Sequence, residues 1–208
     1  MKTTPAIASF EHILSEMKAH GMNLPPRRVH IAIPHARNVL QAALEHFIAL
    51  EHKTARWLPE YDQVADWLAD NRGRGLFLYG NCGRGKTLLA RYVLPAILLQ
   101  YNRLVVSTFD AQEMNANIDR VLSKHIVSLD DIGTEETAVS YGNRRMAFAE
   151  ITDMAEKRGH LLIITSNLSG EQLRERYKDR VYERILSTTR RILFQGQSLR
   201  QTADGNRT

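Results

Sequence analysis

The sequence predicts an α/β fold in which a mostly parallel sheet lies between two layers of helices, with a small helical region before it. Short apolar runs typical of buried strands alternate with segments of helical periodicity over residues 76–194. Polar side chains directly follow several of these runs, at the carboxyl ends of the predicted strands, where parallel α/β sheets bind their ligands. Both observations favour a three-layer α/β domain with its functional site at one edge of the sheet.

The region before the first strand is predicted to contain three helices. A helix over 5–20 ends at Gly21–Pro26, because two consecutive prolines cannot continue it. A longer helix, over 35–57, carries apolar residues at helical spacing, and Pro59 is expected to end it. A short helix over Tyr61–Ala69 then leads into a loop rich in glycine and arginine.

The first predicted strand, Leu76–Tyr79, is followed by a glycine-rich loop and a helix over Leu88–Leu94. The loop has the pattern G-x-x-x-x-G-K-T of phosphate-binding loops, the Walker A motif. Glycines let the backbone curl around a phosphate, and the N–H groups of the loop and the helix N-terminus attract the anion. We therefore predict that this P-loop binds ATP, with Lys86 at the β- and γ-phosphates. The predicted binding residues are Gly80, Asn81, Cys82, Gly83, Arg84, Gly85, Lys86, Thr87 and Leu88.

The remaining strands are predicted from apolar runs that lie between polar or glycine-rich segments, at 104–108, 126–129, 161–165 and 192–194. Residues 143–158 have the periodicity of a helix. Ser169 and Gln172 have the spacing of a capping box, which predicts the start of another helix.

Two acidic residues, Asp130 and Asp131, follow the strand predicted over 126–129. An apolar strand that ends in two acids, the next strand but one after a P-loop, has the form of a Walker B segment. We expect Asp130 to hold Mg²⁺ through water and Thr87 to offer its hydroxyl to the same ion. Asp131 is expected to polarise the attacking water of a phosphoryl transfer.

Asn167 and two arginines complete the candidate catalytic residues. Asn167 follows the strand over 161–165 and is expected to bind the γ-phosphate or the water, although a simple strand-to-helix turn also favours asparagine. Arg180 and Arg184 lie four residues apart, on one face of the predicted helix. Such arginines either reach the γ-phosphate of a neighbouring subunit or form a solvated charged face. The ion-pair partners expected for such a face are Asp179, Glu183 and Glu175.

Composition limits the classes to which the chain can belong. Of its 208 residues 43% are hydrophobic and 25% are charged, so we expect a packed globular core. No membrane span and no secretory signal are predicted, and Cys82, the single cysteine, favours a reducing cytoplasm. The net charge of +5 comes from residues 71–208, where 21 Lys and Arg face 15 Asp and Glu. This excess fits either a nucleic-acid partner or ordinary solvation.

Four segments together resemble the AAA+ ATPases of the DnaC/IstB group, which includes replicative helicase loaders and transposition helper ATPases. They are Gly80–Thr87, Leu129–Glu136, Thr165–Leu168 and Arg180–Arg184, and the resemblance covers about 61–200. It implies the AAA+ type of P-loop NTPase fold. It also implies that Asn167 is sensor 1, and that Arg184, with Arg180 as its alternative or partner, is an arginine finger supplied to the adjacent subunit.

The resemblance further implies ATP and Mg²⁺ as cofactors, a ring or spiral of subunits, and single-stranded DNA along its inner face. The N-terminal region would dock a replicative helicase or, in a transposition helper, a transposase. One segment departs from the pattern of the loaders. The connection over 109–125 is shorter than the insertion that loaders associate with single-stranded DNA, and it is not strongly basic.

The predicted organisation is a helical partner-docking region over 1–60, an AAA+ ATPase core over 61–200 and a disordered tail over 201–208. The predicted function is that of a cytoplasmic, ATP-hydrolysing DNA replication protein that helps load a replicative helicase onto single-stranded DNA. The alternatives are an IstB-like transposition helper, and a nucleotide-dependent interaction switch with negligible turnover.

Overall fold

The centre of the fold is a parallel sheet of five strands. The structure is a computed structural model that describes residues 10–135, 138–140 and 143–199, and for 138–140 and 143–145 it describes the backbone alone. The strands lie in the order β2-β3-β6-β1-β7. They are β1 (Gly75–Gly80), β2 (Ser107–Asp110), β3 (Ile126–Asp130), β6 (Leu161–Ser166) and β7 (Thr189–Phe194). A separate antiparallel pair is formed by β4 (Ala138–Ser140) and β5 (Asn143–Arg145).

The strand order places β6 between β1 and β3. Thr165 of β6 is level with Leu78 of β1, and Ile164 is level with Leu129 of β3. Because the strands are parallel, the carboxyl ends of β1, β3 and β6 meet at one edge of the sheet. The segments that follow these three strands are the P-loop, the acid pair and Asn167, so the sheet brings them to the same edge.

Helices cover both faces of the sheet, as the sequence predicts. They are α2 (Ala36–Ala49), α3 (Pro59–Ala69), α6 (Ala111–Ala116), α7 (Ile118–Leu122), α8 (Ala147–Arg158) and α9 (Gly170–Thr188). The first described helix, α1 (Phe10–Ala19), has no buried residue. The helix after the P-loop consists of α4 (Lys86–Leu88), a π-helical turn (Leu89–Val93) and α5 (Leu94–Asn102). Lys178 interrupts α9 with a left-handed φ of 68°. No helix in the described part of the chain has the length and apolar character needed to cross a bilayer.

The two faces of the sheet have separate cores. Successive residues of a strand point to opposite faces, so Leu76 and Leu78 pack with α2, α3 and the helix after the P-loop. Phe77 instead packs with side chains of α6, α7, α8 and α9. Burial on both faces explains why the strands read as continuous apolar runs.

Residues 29–58 pack against the same core as the first strand. Ile31, Leu40 and Leu44 are almost fully buried in the cluster that contains Leu76. The domain boundary predicted at residue 60 stays a prediction, and the tail predicted over 201–208 lies outside the described residues.

Several predicted boundaries of helices were wrong. The helix predicted over 35–57 ends at Ala49, and His52 then turns the chain with a left-handed φ of 57°. Pro59, expected to end that helix, begins α3, because its fixed φ suits the first turn of a helix and its missing N–H has no helical partner there. Of the helix predicted over 5–20, the structure describes Phe10 onwards.

Two strand assignments also differ from the prediction. The strand predicted over 104–108 forms three residues later, where Ser107–Asp110 pairs with β3. Asn143–Arg145, predicted as the start of a helix, is β5, and α8 begins at Ala147. Pairing with a neighbouring strand decided both assignments, and local periodicity does not report such pairing.

Asn71 joins the N-terminal segment to the turn before β1. Its buried side chain accepts from the Ile31 and Gly73 N–H groups at 2.8 and 3.1 Å. It donates to the Val29 and Arg74 carbonyls at 2.9 and 3.1 Å. We expect Asn71→Ala to lower the free energy of unfolding by about 2–4 kcal/mol, because four buried hydrogen bonds are lost. Urea unfolding followed by circular dichroism measures this, with the exposed Asn23→Ala as the matched control. An equal effect of both substitutions would contradict the role of Asn71.

Candidate functional site

The P-loop curls at the carboxyl end of β1, directly before the long helix. Gly83 and Gly85 have left-handed φ angles of 71° and 86°. A Cβ atom on Gly83 would lie 2.0 Å from the Ser198 hydroxyl, and one on Gly85 would lie 2.7 Å from the Tyr61 hydroxyl. These positions therefore require glycine for both backbone and space, and the resulting curl turns loop N–H groups toward a common centre.

Lys86 spans the mouth of the loop. Its ammonium group donates to the carbonyls of Gly80 and Asn81 at 2.8 and 2.7 Å, and to Asn167 Oδ1 at 2.9 Å. Burial lowers the pKa of Lys86, whereas the nearby carboxylates of Asp131 and Asp130 raise it. The Lys86 ammonium is thus held at the mouth of the loop by three oxygen acceptors, and its role at a phosphate stays a prediction.

The acid pair at the end of β3 is fixed by Thr165 of the neighbouring strand. The Thr165 hydroxyl donates to Asp130 Oδ1 at 2.6 Å and accepts from the Asp131 N–H at 2.8 Å. Asp131 has a left-handed φ of 58° and accepts from Asn167 Nδ2 at 2.6 Å. Burial and the adjacent Asp130 carboxylate raise the pKa of Asp131.

Asn167 therefore connects the two halves of the candidate site. It accepts from the Lys86 ammonium through Oδ1 and donates to the Asp131 carboxylate through Nδ2. The structure brings together Lys86, Asp130, Asp131 and Asn167, which the sequence predicts as catalytic residues. Their catalytic roles stay predictions.

Other predicted P-loop residues differ in how their side chains are placed. Thr87 is exposed in the first turn of the helix and Cys82 is exposed in the loop, whereas Leu88 packs against the core. Asn81 Nδ2 donates to the Gly196 carbonyl at 3.0 Å, which fastens the loop to the segment after β7.

The Arg84 side chain makes its contacts with Glu60 and the C-terminal segment. Its guanidinium donates to both oxygens of Glu60, with distances of 2.8–3.1 Å, and to the Gln197 carbonyl at 3.1 Å. Glu60 also accepts from the Gln195 N–H at 3.0 Å, and both members of the ion pair are over 90% buried. The Arg84 side chain therefore braces the loop, and Glu60 is a supporting residue that was not predicted from the sequence.

Arg184 is held by acidic residues of its own chain. It pairs with Asp153 and, at 3.0 Å, with Glu156, both on α8, and its side chain is only 12% exposed. Arg180 is exposed on the same half of α9. Among the described residues, no hydrogen bond or ion pair joins either arginine to Lys86, Asp130, Asp131 or Asn167. The partners of Arg184 are not Asp179, Glu183 or Glu175, the neighbours expected from spacing, because α8 lies beside α9.

Comparisons with known proteins place the fold. No known family profile and no curated protein matches the chain. The solved structure of DnaI is 22% identical, with 80% of this chain and 93% of that chain covered and a TM-score of 0.53. The DnaC helicase loader is 20% identical, with 79% and 93% covered and a TM-score of 0.50. AMPPCP-bound DnaA from Aquifex aeolicus is 16% identical, with 76% and 53% covered and a TM-score of 0.52.

This chain shares their fold. The AAA+ type of P-loop fold predicted from the sequence is confirmed, and so is the resemblance to the DnaC group at the level of the fold. At these identities the likeness concerns the architecture alone. Any inference about activity or partners must therefore be argued from the residues of this chain.

The raised pKa of Asp131 predicts a stability gain on neutralisation. The folded state holds this proton up to a higher pH than the unfolded chain does, so the ionised carboxylate costs stability above the folded pKa. Asparagine keeps the amide contact and tolerates the left-handed backbone. We expect Asp131→Asn to raise the Tm at pH 7.5 by roughly 1–3 °C, since solvent screens part of the effect.

Thermal unfolding followed by circular dichroism between pH 4 and pH 8 checks this expectation, and the gain should shrink as the pH falls toward 4. Asp70→Asn, at an exposed carboxylate that accepts from the Arg72 N–H, is the matched control. A lower Tm for Asp131→Asn at pH 7.5 would contradict the predicted sign.

Proposed function

We propose that the protein binds and hydrolyses ATP, and that it uses this cycle in DNA replication to help load a replicative helicase onto single-stranded DNA. The observation that carries the proposal is the continuous hydrogen-bonded path from Lys86 through Asn167 to Asp131 at the mouth of a curled P-loop. A phosphate-binding cation, a polar sensor and a base for water are the groups that phosphoryl transfer needs.

A pocket beside the P-loop supports a nucleotide as the ligand. It has a volume of about 270 Å³ and adjoins the loop through Arg84 and through Ser198, the residue that abuts Gly83. Trp57, Leu58 and Leu199 give it apolar walls. We assign the nucleoside part of ATP to this pocket.

The donor atoms at the site also fit Mg²⁺. This ion prefers oxygen ligands and keeps several waters, and Asp130 and Thr87 offer a carboxylate and a hydroxyl. Bound there with ATP, it would neutralise charge on the phosphate oxygens. Lys86 exchanges its carbonyl partners for the phosphates, Asn167 orients the water, and Asp131 polarises that water for attack.

For the arginine finger, we favour Arg180 over Arg184. Arg180 is exposed on the same half of α9 as Arg184. Arg184 would have to leave Asp153 and Glu156 before it could reach a neighbouring subunit. ATP is still proposed to bind between subunits of a ring or spiral. Arg184 is proposed to have the structural role of joining α8 to α9.

ATP hydrolysis distinguishes the proposed function from a nucleotide-dependent interaction switch with negligible turnover. We expect ATP hydrolysis to rise more than linearly with protein concentration and to increase on addition of single-stranded DNA. Lys86→Ala should abolish both ATP binding and hydrolysis, because the phosphates lose their cation. Phosphate release measured over a range of protein concentrations, with and without a single-stranded oligonucleotide, checks this.

The outcomes of that experiment distinguish the alternatives. ATP binding with no turnover under any condition would favour the interaction switch. A hydrolysis rate that single-stranded DNA does not change would contradict the proposed role of DNA. Binding of a purified transposase in place of a replicative helicase would favour the transposition helper. Unchanged nucleotide affinity in Lys86→Ala would overturn the P-loop site itself.

Substitution of Arg184 should mainly lower stability, whereas substitution of Arg180 should mainly lower the rate of ATP hydrolysis. Arg184→Ala breaks two contacts to α8 and leaves Glu156 without its ion-pair partner, while Asp153 keeps its pair with Lys157. We therefore expect it to lower the free energy of unfolding by about 1–3 kcal/mol. Arg180→Ala should leave stability within about 0.5 kcal/mol of the wild type, as for other surface substitutions. It should reduce hydrolysis at high protein concentration at least tenfold, by removing transition-state stabilisation across the subunit interface.

Urea unfolding and phosphate release, measured on both variants, test this separation. Mixing Arg180→Ala with Asp131→Ala should restore part of the activity, since one mixed interface then has both intact residues. Full activity of Arg180→Ala alone would refute its role as the finger.

A further inference from the structure

The helix after the P-loop contains a π-helical turn that is fastened to β3. A π turn holds one extra residue and shifts the hydrogen-bond ladder, and such turns are frequent at functional sites. The carbonyl of Ala90, inside the turn, accepts from the buried Ser128 hydroxyl at 2.8 Å. Ser128 lies on β3, two residues before Asp130. The turn is therefore tied to the strand that ends in the proposed metal carboxylate.

The next residue of this turn, Arg91, faces two carboxylates from neighbouring strands. Its Nη1 atom lies 3.9 Å from Asp130 Oδ2 and 3.9 Å from Asp110 Oδ2. Asp110 and Asp130 are level with each other at the ends of β2 and β3. Arg91 was not predicted from the sequence, because the π turn that orients its side chain has no signature in local periodicity.

Each of the two carboxylates has its other oxygen engaged in the fold. Asp130 Oδ1 accepts from the Thr165 hydroxyl at 2.6 Å, and Asp110 Oδ1 accepts from the Glu113 N–H at 2.8 Å, as the N-cap of α6. Only the Oδ2 atoms are directed at Arg91. The guanidinium thus faces the oxygen of Asp130 that the fold leaves for a ligand.

Thr87 lies four residues before Arg91 in the same helix, so the two side chains lie on the same side of it. Under the proposed function, on which this inference rests, Thr87 and Asp130 hold Mg²⁺. We infer that Arg91 is a positioning residue that balances the charge of Asp110 and Asp130 and thereby sets how strongly Mg²⁺ and nucleotide depend on each other.

The sign of this effect follows from electrostatics. A positive charge beside a cation site weakens cation binding, and the same charge favours an anionic nucleotide that arrives without a metal. Removal of the Arg91 charge should therefore weaken nucleotide binding without Mg²⁺ and strengthen the effect of added Mg²⁺. By linkage, both changes increase the ratio of the nucleotide Kd in EDTA to the Kd in Mg²⁺.

The test is the affinity for the fluorescent nucleotide mant-ADP, titrated in EDTA and in Mg²⁺. We expect Arg91→Met to raise the Kd ratio at least about threefold over the wild type, because a unit charge has been removed within a few ångströms of the site. Arg91→Lys should keep the ratio within about twofold, since it keeps the charge. Arg190→Met is the matched control, because Arg190 pairs with Asp66 at 3.3 Å near the amino end of β7, at the opposite end of the sheet.

Asp110→Asn gives a prediction of opposite sign. Asparagine caps a helix about as well as aspartate, so α6 is retained while one negative charge beside Arg91 is removed. The Kd ratio should fall below that of the wild type. Circular dichroism melting of each variant confirms that the folded protein is being titrated.

Failure of the inference about Arg91 can be distinguished from failure of the proposed nucleotide site. A Kd ratio that Arg91→Met leaves unchanged would overturn the inference, whether nucleotide binding weakens equally in both buffers or in neither. A rise in the ratio for Asp110→Asn would overturn it as well. Failure of the wild-type chain to bind mant-ADP in either buffer would overturn the nucleotide site, and the role of Arg91 with it.

Discussion

The candidate site depends on the position of β6 between the strand that enters the P-loop and the strand that ends in the acid pair. Asn167, directly after β6, accepts from Lys86 and donates to Asp131, and Thr165, near the end of β6, bonds to both acids. An amide has both a donor and an acceptor, so Asn167 can join an ammonium to a carboxylate, which neither partner can do alone. If β6 lay elsewhere in the sheet, Lys86 and Asp131 would be separated by a strand that offered no such bridge.

A second constraint holds the P-loop from outside the sheet. Burial of Glu60 and Arg84 carries a desolvation cost, which is offset only when the pair is well aligned and its remaining groups are hydrogen-bonded. Both conditions are met, because Gln195 donates to Glu60 and Gln197 accepts from Arg84. The loop is therefore braced by α3 on one side and by the segment after β7 on the other. Residues of α3 and of the segment after β7 thus support the site, although they contribute no group to its proposed chemistry.

Features that are local in sequence were predictable, and those set by distant neighbours were not. The capping box of Ser169 and Gln172 was predicted correctly, because both of its hydrogen bonds are made within four residues. The P-loop and the acid pair were found because their spacing is fixed by the strand and helix that flank them. Glu60 lies 24 residues from Arg84, and Glu156 lies 28 from Arg184, so no spacing rule connects these pairs. The π turn escaped for a related reason, since its Ser128 partner lies on another element 38 residues away.

The charges at the site explain why the proposed function needs nucleotide and metal to bind together. Among the described residues, Asp110, Asp130 and Asp131 lie near two cations, Lys86 and Arg91, whereas the guanidinium of Arg84 is paired with Glu60. This negative excess agrees with the raised pKa of Asp131, where the adjacent Asp130 and burial both oppose ionisation. A triphosphate adds further negative charge to the same edge of the sheet, which Lys86 alone would not neutralise. Under the proposed function, a divalent cation that arrives with the nucleotide would correct the imbalance, so the arrangement would favour the metal–nucleotide complex over either component alone.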